Sequence, residues 1–188
     1  MNTALLHRMT ADEFLRWYER QESGRYELEN GRVVMQQSQN FAHLKAKNQI
    51  LRALEDAIVA AKAPVFAMPD GATVRVDEGR VYEPDALVAY LPEPSPDTIE
   101  IPNVVVVVEV VSPSSEKRDH VEKARGYAAV PPIAHYLIVD PAVRMLHHHT
   151  RATLTSGAEP LLVTDAVLRL DPPGLTIDLT SLFGPKNI

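Results

Sequence analysis

The sequence predicts an α/β fold, a mixed central sheet flanked by helices with an N-terminal helix and hairpin. Three observations carry this reading. Val104 to Val111 is a nearly continuous β-branched run, the composition of a strand buried on both faces of a sheet. A charged helical stretch, Ser114 to Ala129, separates it from the apolar strand His135 to Asp140, and strand, helix, strand implies a parallel βαβ unit. Around Asn30-Gly31 the flanking residues alternate about a dipeptide that tolerates positive φ, which is the signal of an antiparallel hairpin.

In chain order, Thr10-Ala11-Asp12-Glu13 has the form of a capping box, so the first helix starts at Thr10 and carries Phe14, Leu15 and Trp17. The hairpin follows, with Glu27 on its first strand. From Phe41 to Ala61 apolar residues recur near helical period with no internal Gly or Pro, giving a second helix with His43 in its first turn. Val65 to Met68, an Asp70-Gly71 turn and Thr73 to Val76 read as a second hairpin, and Pro84 pins the start of a strand from Asp85 to Tyr90. A proline-rich loop, Leu91 to Pro102, leads into the central strand. Ser114 or Ser115 caps the helix after it. Met145 to Thr150 reads as a further strand, and Leu161 to Phe183 alternates weakly around a turn at Pro172-Pro173-Gly174.

Length and composition bound the chemistry. A chain of 188 residues with 45% hydrophobic content suits a single domain over residues 1–188. The absence of cysteine excludes disulfides, thiolate zinc sites and cysteine nucleophiles. Met1 to Arg20 shows no export signal and no stretch has the length of a membrane span, so a cytoplasmic protein without a membrane partner is expected. A formal net charge of −6 argues against gripping nucleic acid mainly by neutralising phosphates, but not against meeting phosphate through a metal.

Glu109 is the anomaly. A carboxylate inside a run of valines costs several kcal/mol unless it is paired, metal-bound or facing a cleft. It is therefore either a buried ion pair or a ligand for a hard metal. Asp85, in Glu83-Pro84-Asp85, either accepts hydrogen bonds from loop amides or joins it, since two carboxylates on adjacent strands can converge on Mg²⁺ or Mn²⁺, which prefer oxygen ligands and keep several waters. On the following helix Asp119, Lys123 and Tyr127 share one face, an arrangement that also describes a solvated ion pair. His43, at a helix N-terminus, either contacts phosphate or is an exposed histidine. His147-His148-His149 reads as surface, because neighbours on a strand alternate faces.

Tyr26-Glu27-Leu28, Glu83-Pro84-Asp85, Val108-Glu109-Val110-Val111-Ser112-Pro113-Ser114 and Asp119-xxx-Lys123-xxx-Tyr127 occur in this order. Together with His43, Val130-Pro131 and Tyr136 to Pro141, they resemble the bacterial Uma-type restriction endonuclease family over most of the chain. The resemblance implies a restriction-endonuclease-like core of the PD-(D/E)XK superfamily, in which Asp85 and Glu109 bind Mg²⁺ or Mn²⁺. It implies that Lys123 takes the place of the lysine missing at Val111. It also implies that Glu27 completes the metal shell, where the residues alone equally allow a surface partner of Arg25 or Arg32, and by fold analogy that Val110 offers its carbonyl.

The reading that follows is a metal-dependent endonuclease acting on nucleic acid, DNA in the first instance. Asp85, Glu109 and Lys123 are catalytic, and His43, Tyr127 and Asp119 contact substrate. Lys45, Lys47, Arg52, Lys117, Arg118 and Arg125 are candidate phosphate contacts. Cutting a duplex would suit a homodimer. The alternative is a catalytically inactive nucleic-acid-binding or protein-assembly module that keeps the nuclease fold.

Overall fold

The computed structural model describes residues 8–111, 118–163 and 166–183. Ser112 to Lys117, with the expected helix start and cap, lie outside the described residues. Helix α1, Ala11–Tyr18, starts as expected: the Thr10 side chain accepts from the Glu13 amide and the Glu13 side chain accepts from the Thr10 amide. Strands β1 (Tyr26–Glu29) and β2 (Arg32–Met35) form the expected hairpin, with Asn30 at φ 49° and Gly31 at φ 79° in its turn. Helix α2 spans Phe41–Ala61 and is capped by Asn40.

Strands β3 (Val65–Pro69) and β4 (Val74–Asp77) do not pair with each other, so the expected second hairpin is not formed. Between them the chain is pulled aside: the Thr73 amide donates to the Ile99 carbonyl, and the Gly71 amide donates to Glu83. Strand β4 instead turns into β5 (Arg80–Tyr82), while β3 lies antiparallel to β6 (Ala86–Tyr90). Strand β7 (Val104–Val110) is next, then a π-helical turn, Arg118–Lys123, running into α3 (Ala124–Ala128), and β8 (His135–Asp140). After β9 (Met145–Thr150) come α4 (Arg151–Ser156), β10 (Leu161–Leu162), the hairpin β11–β12 (Val167–Leu170, Leu175–Asp178) and α5 (Leu179–Phe183).

The larger sheet runs β10-β9-β8-β7-β6-β3 and is mixed, parallel only between β7 and β8. A smaller antiparallel sheet, β2-β1-β5-β4, lies beside it. Strand β7 is buried at every position, as a valine run between two layers requires. Its Val106, Val108 and Val110 pack in one cluster with Ile50 and Leu54 of α2 and Leu168 of β11. Its Val107, and Val111 just after it, pack in another with Tyr127, Ile133 and Tyr136. Glu109 stands two residues from each of these and shares their face, so its side chain emerges on the tyrosine side. Helix α3 comes close there because Gly126 has no side chain: a Cβ would lie 2.6 Å from the Tyr82 ring. Among the described residues no helix is long and apolar enough to cross a membrane.

Candidate active site

Asp85 and Glu109 meet because of register. Ala86 pairs with Val108 across the antiparallel β6–β7 ladder, which sets Asp85 opposite Glu109 one step further on. The Asp85 amide donates to the Val108 carbonyl at 3.0 Å, and the Val110 amide donates to Asp85 Oδ2 at 2.7 Å. Both carboxylates border one cleft of about 380 Å³, whose walls also include Val110, Asp119, Lys123 and His43.

Each carboxylate has its own buried lysine. Lys47 of α2 reaches Asp85 Oδ1 at 2.7 Å and Asp70 at 2.5 Å. Lys123 of the π-helical turn reaches Glu109 Oε1 at 2.6 Å and Glu27 Oε1 at 3.0 Å. Tyr127, wholly buried, donates to the same Glu109 oxygen at 3.0 Å. Its ring is wedged between Tyr82 and Tyr136, and the Tyr136 hydroxyl in turn donates to the Asp119 carbonyl. Glu109 is thus fixed from the helix side, and Lys123 is fixed from the hairpin side.

That second anchor is Glu27, which has no solvent exposure. It accepts from the Glu83 amide at 2.8 Å and from Gln36 Nε2 at 2.7 Å, and Arg118 contacts it as well. A surface partnership with Arg25 or Arg32 is therefore excluded. Beside it Glu83 accepts from Tyr18 at 2.9 Å and from Arg25 at 2.5 Å, and Arg25 also reaches Asp70 at 2.9 Å. Carboxylates and cations alternate through this network, which is what lets so many charges sit under the surface.

The two cleft carboxylates titrate in opposite directions. Burial works to raise the Asp85 carboxyl, but the His43 imidazole, 3.6 Å away, and the Lys47 ammonium outweigh it and hold Asp85 well below the usual aspartate range. Burial pushes Glu109 up to about 8 despite Lys123, and the negative charges of Asp119 and Asp85 push the same way. Tyr127 is raised well above an ordinary tyrosine by burial and by Glu109.

Asp85, Glu109, Lys123, Asp119 and His43 are brought together at the cleft, with Val110 beside them, while Glu27 and Tyr127 lie behind it and hold Lys123 and Glu109. Val121 is 40% exposed, because the face carrying Asp119, Lys123 and Tyr127 is the one packed inward. Of the candidate phosphate contacts, Lys47 and Arg118 are drawn into ion pairs of the site, Lys45, Arg52 and Arg125 are exposed, and Lys117 lies outside the described residues. Arg25, Gln36, Asp70 and Glu83 were missed as site residues. The only signal for them was a surplus of charge around the hairpin and the Pro-Asp motif. The histidine run is also not surface: His148 is buried with its Nε2 2.8 Å from His135 Nδ1, and His149 is buried against the Tyr136 ring.

The donor chemistry fits a hard, hydrated cation. Two carboxylates border the cleft beside Val110, and Mg²⁺ or Mn²⁺ binds through one or two carboxylates while keeping its waters. Among the described residues no three His, Asp or Glu side chains are grouped so as to hold a metal ion by themselves.

The family model Uma2, described as "Putative restriction endonuclease", matches residues 11–180. Among solved structures, a "putative nuclease belonging to DUF820" from Anabaena variabilis ATCC 29413 is similar in fold, with a TM-score of 0.67 at 14% identity over 93% of this chain and 97% of that one. No curated protein matches the chain.

Proposed function

Starting from a chain that belongs to the Uma2 family, described as restriction endonucleases, we propose that it is a metal-dependent endonuclease that hydrolyses phosphodiester bonds of DNA. The observation that carries this is the facing pair Asp85 and Glu109, set by strand register into one open cleft.

Asp85, Glu109 and the Val110 carbonyl would hold Mg²⁺ or Mn²⁺, which when bound supplies Lewis-acid charge and an acidified water. Asp85 is ionised throughout the physiological range and is the standing ligand. Glu109, pushed up to about 8, would have to release its proton to serve as the second. Lys123, held between Glu109 and Glu27, is placed to stabilise negative charge developing on the phosphate, and its ion pairs fix its orientation beforehand. Tyr127 keeps the Glu109 carboxyl pointed at the cleft. His43, in the first turn of α2, adds a donor at a helix end that already favours anions.

Labelled duplex DNA incubated with Mg²⁺ or Mn²⁺ tests the proposal. Cleavage by wild type that is lost with EDTA, with Asp85→Asn and with Glu109→Gln is expected. Cleavage indifferent to both substitutions would overturn it. One observation favours a second reading, a noncatalytic module: each carboxylate is already bonded to a lysine, so the network is satisfied without a metal cation. Absence of cleavage with every metal and strand form would support that module.

A further inference from the structure

Helix α2 carries a second feature that the cleft chemistry does not use. Its inner face, Ala46, Ile50, Ala53, Leu54 and Ala57, is buried, whereas Phe41, Lys45, Asn48 and Arg52 recur at helical spacing on the opposite, exposed side. Phe41 is 81% exposed, and an aromatic ring left in water at this position contributes nothing to the core. The chain leads from the cleft to the stripe: residues 36–40, a run of amide and hydroxyl side chains, form part of the cleft wall and are followed directly by Phe41. Met35, 65% exposed, borders the cleft at the other end of that wall.

Resting on the nuclease reading, we propose that this stripe is a track for single-stranded DNA entering or leaving the cleft, with an unpaired nucleobase stacked on Phe41 and the backbone running past Lys45 and Arg52. An aromatic face can take an unpaired base of any identity, while cations at intervals neutralise successive phosphates. From Phe41 to Arg52 the helix rises about 16 Å, enough for a short run of nucleotides. Charge along the helix supports this occupant. The half next to the cleft presents Lys45 and Arg52, and the acidic exposed residues, Glu55 and Asp56, begin only beyond them. A second copy of the chain fits less well, because Phe41 and Leu44 at one end of the exposed side and Val59 at the other are separated by Lys45, Asn48 and Arg52, where a helix-on-helix seam needs apolar residues.

The test is anisotropy of labelled oligothymidylate and of an abasic strand of the same length and charge, in EDTA so that nothing is cut. Wild type should bind the thymidylate about tenfold more tightly than the abasic strand. Phe41→Ala should lose that preference and Phe41→Trp should keep it. Lys45→Gln combined with Arg52→Gln should reduce the salt slope of log K by about 1.4. No binding by wild type, equal binding of both strands, equal weakening of both by Phe41→Ala, or a dimer in sedimentation that Phe41→Ala dissolves would each overturn the proposal. Hydrolysis of bis-p-nitrophenyl phosphate by wild type with Mn²⁺ separates the two readings. Hydrolysis without base preference removes only the track, and base preference without hydrolysis removes only the nuclease.

Discussion

Asp85 and Glu109 face each other across two strands, and each is bonded to a buried lysine, yet one is held ionised and the other is pushed towards its neutral form. The difference lies in what surrounds the pairs. Asp85 stands at a strand start, where the Val110 amide, Lys47 and the His43 ring all favour its charge. Glu109 stands inside the strand, among valines and tyrosines, and its lysine is shared with Glu27 while Asp119 and Asp85 oppose its charge. In the proposed metal site, one fixed and one adjustable carboxylate would let the protein stay folded without a cation and present two anionic ligands when one arrives.

The largest effect that could break this picture is on chemistry. Asp85→Asn and Glu109→Gln should each lower phosphodiester hydrolysis by about a thousandfold, read as the initial rate on labelled duplex. A much smaller loss for either would mean that the pair does not act together.

Stability separates the two lysines. Lys123→Met takes the cation from Glu109 and one of the two cations that reach Glu27, and should cost about 3 kcal/mol in urea unfolding. Lys47→Met should cost less, because Asp70 is partly exposed and Asp85 keeps the Val110 amide and His43. Equal losses would remove the distinction drawn between the two sides.

Acidity sharpens it further. The folded value of Glu109 lies above its ordinary 4.5, so its stabilising contribution is complete below that pH and is lost as pH rises through about 8. Without metal, stability should fall over this window by up to about 1.4 kcal/mol per pH unit from this group, and Glu109→Gln should remove that part of the slope. Asp85 acts in the opposite sense, with its contribution present above its ordinary 3.8 and lost as pH falls below it. Urea midpoints measured across the pH range in EDTA read both.

The smallest effect lies at the rim. Tyr18 donates to Glu83 at 2.9 Å, and burial with the Glu83 charge pushes its hydroxyl up to about 12. Tyr18→Phe should cost about 1 kcal/mol in the same unfolding assay, since one hydrogen bond goes while the Arg25–Glu83 pair remains.

Much of this was legible in local patterns. The Asn30-Gly31 hairpin, the α1 cap, the α2 period and the strand-helix-strand order through β7 and β8 depend on near neighbours, and Glu109 stood out because its own strand is otherwise apolar. What escaped depends on distant residues. The strands β3 and β4 each look able to pair with the other, but Ile99 and Glu83 draw the intervening chain away. Lys47 reads as a helix-surface cation until Asp85 and Asp70 are placed beside it. Glu27 looks like the outward residue of a hairpin until Arg118 and Lys123 close over it. His148 and His149 alternate faces as strand geometry requires, but both faces of β9 are covered.

The most direct test of the central claim is titration calorimetry of Mn²⁺ into wild type and Glu109→Ala at neutral pH, since it needs no assumption about the DNA sequence cut. Saturable binding with proton release is expected for wild type, and none for the variant. Equal binding by both, or no binding by wild type with duplex DNA present, would contradict it.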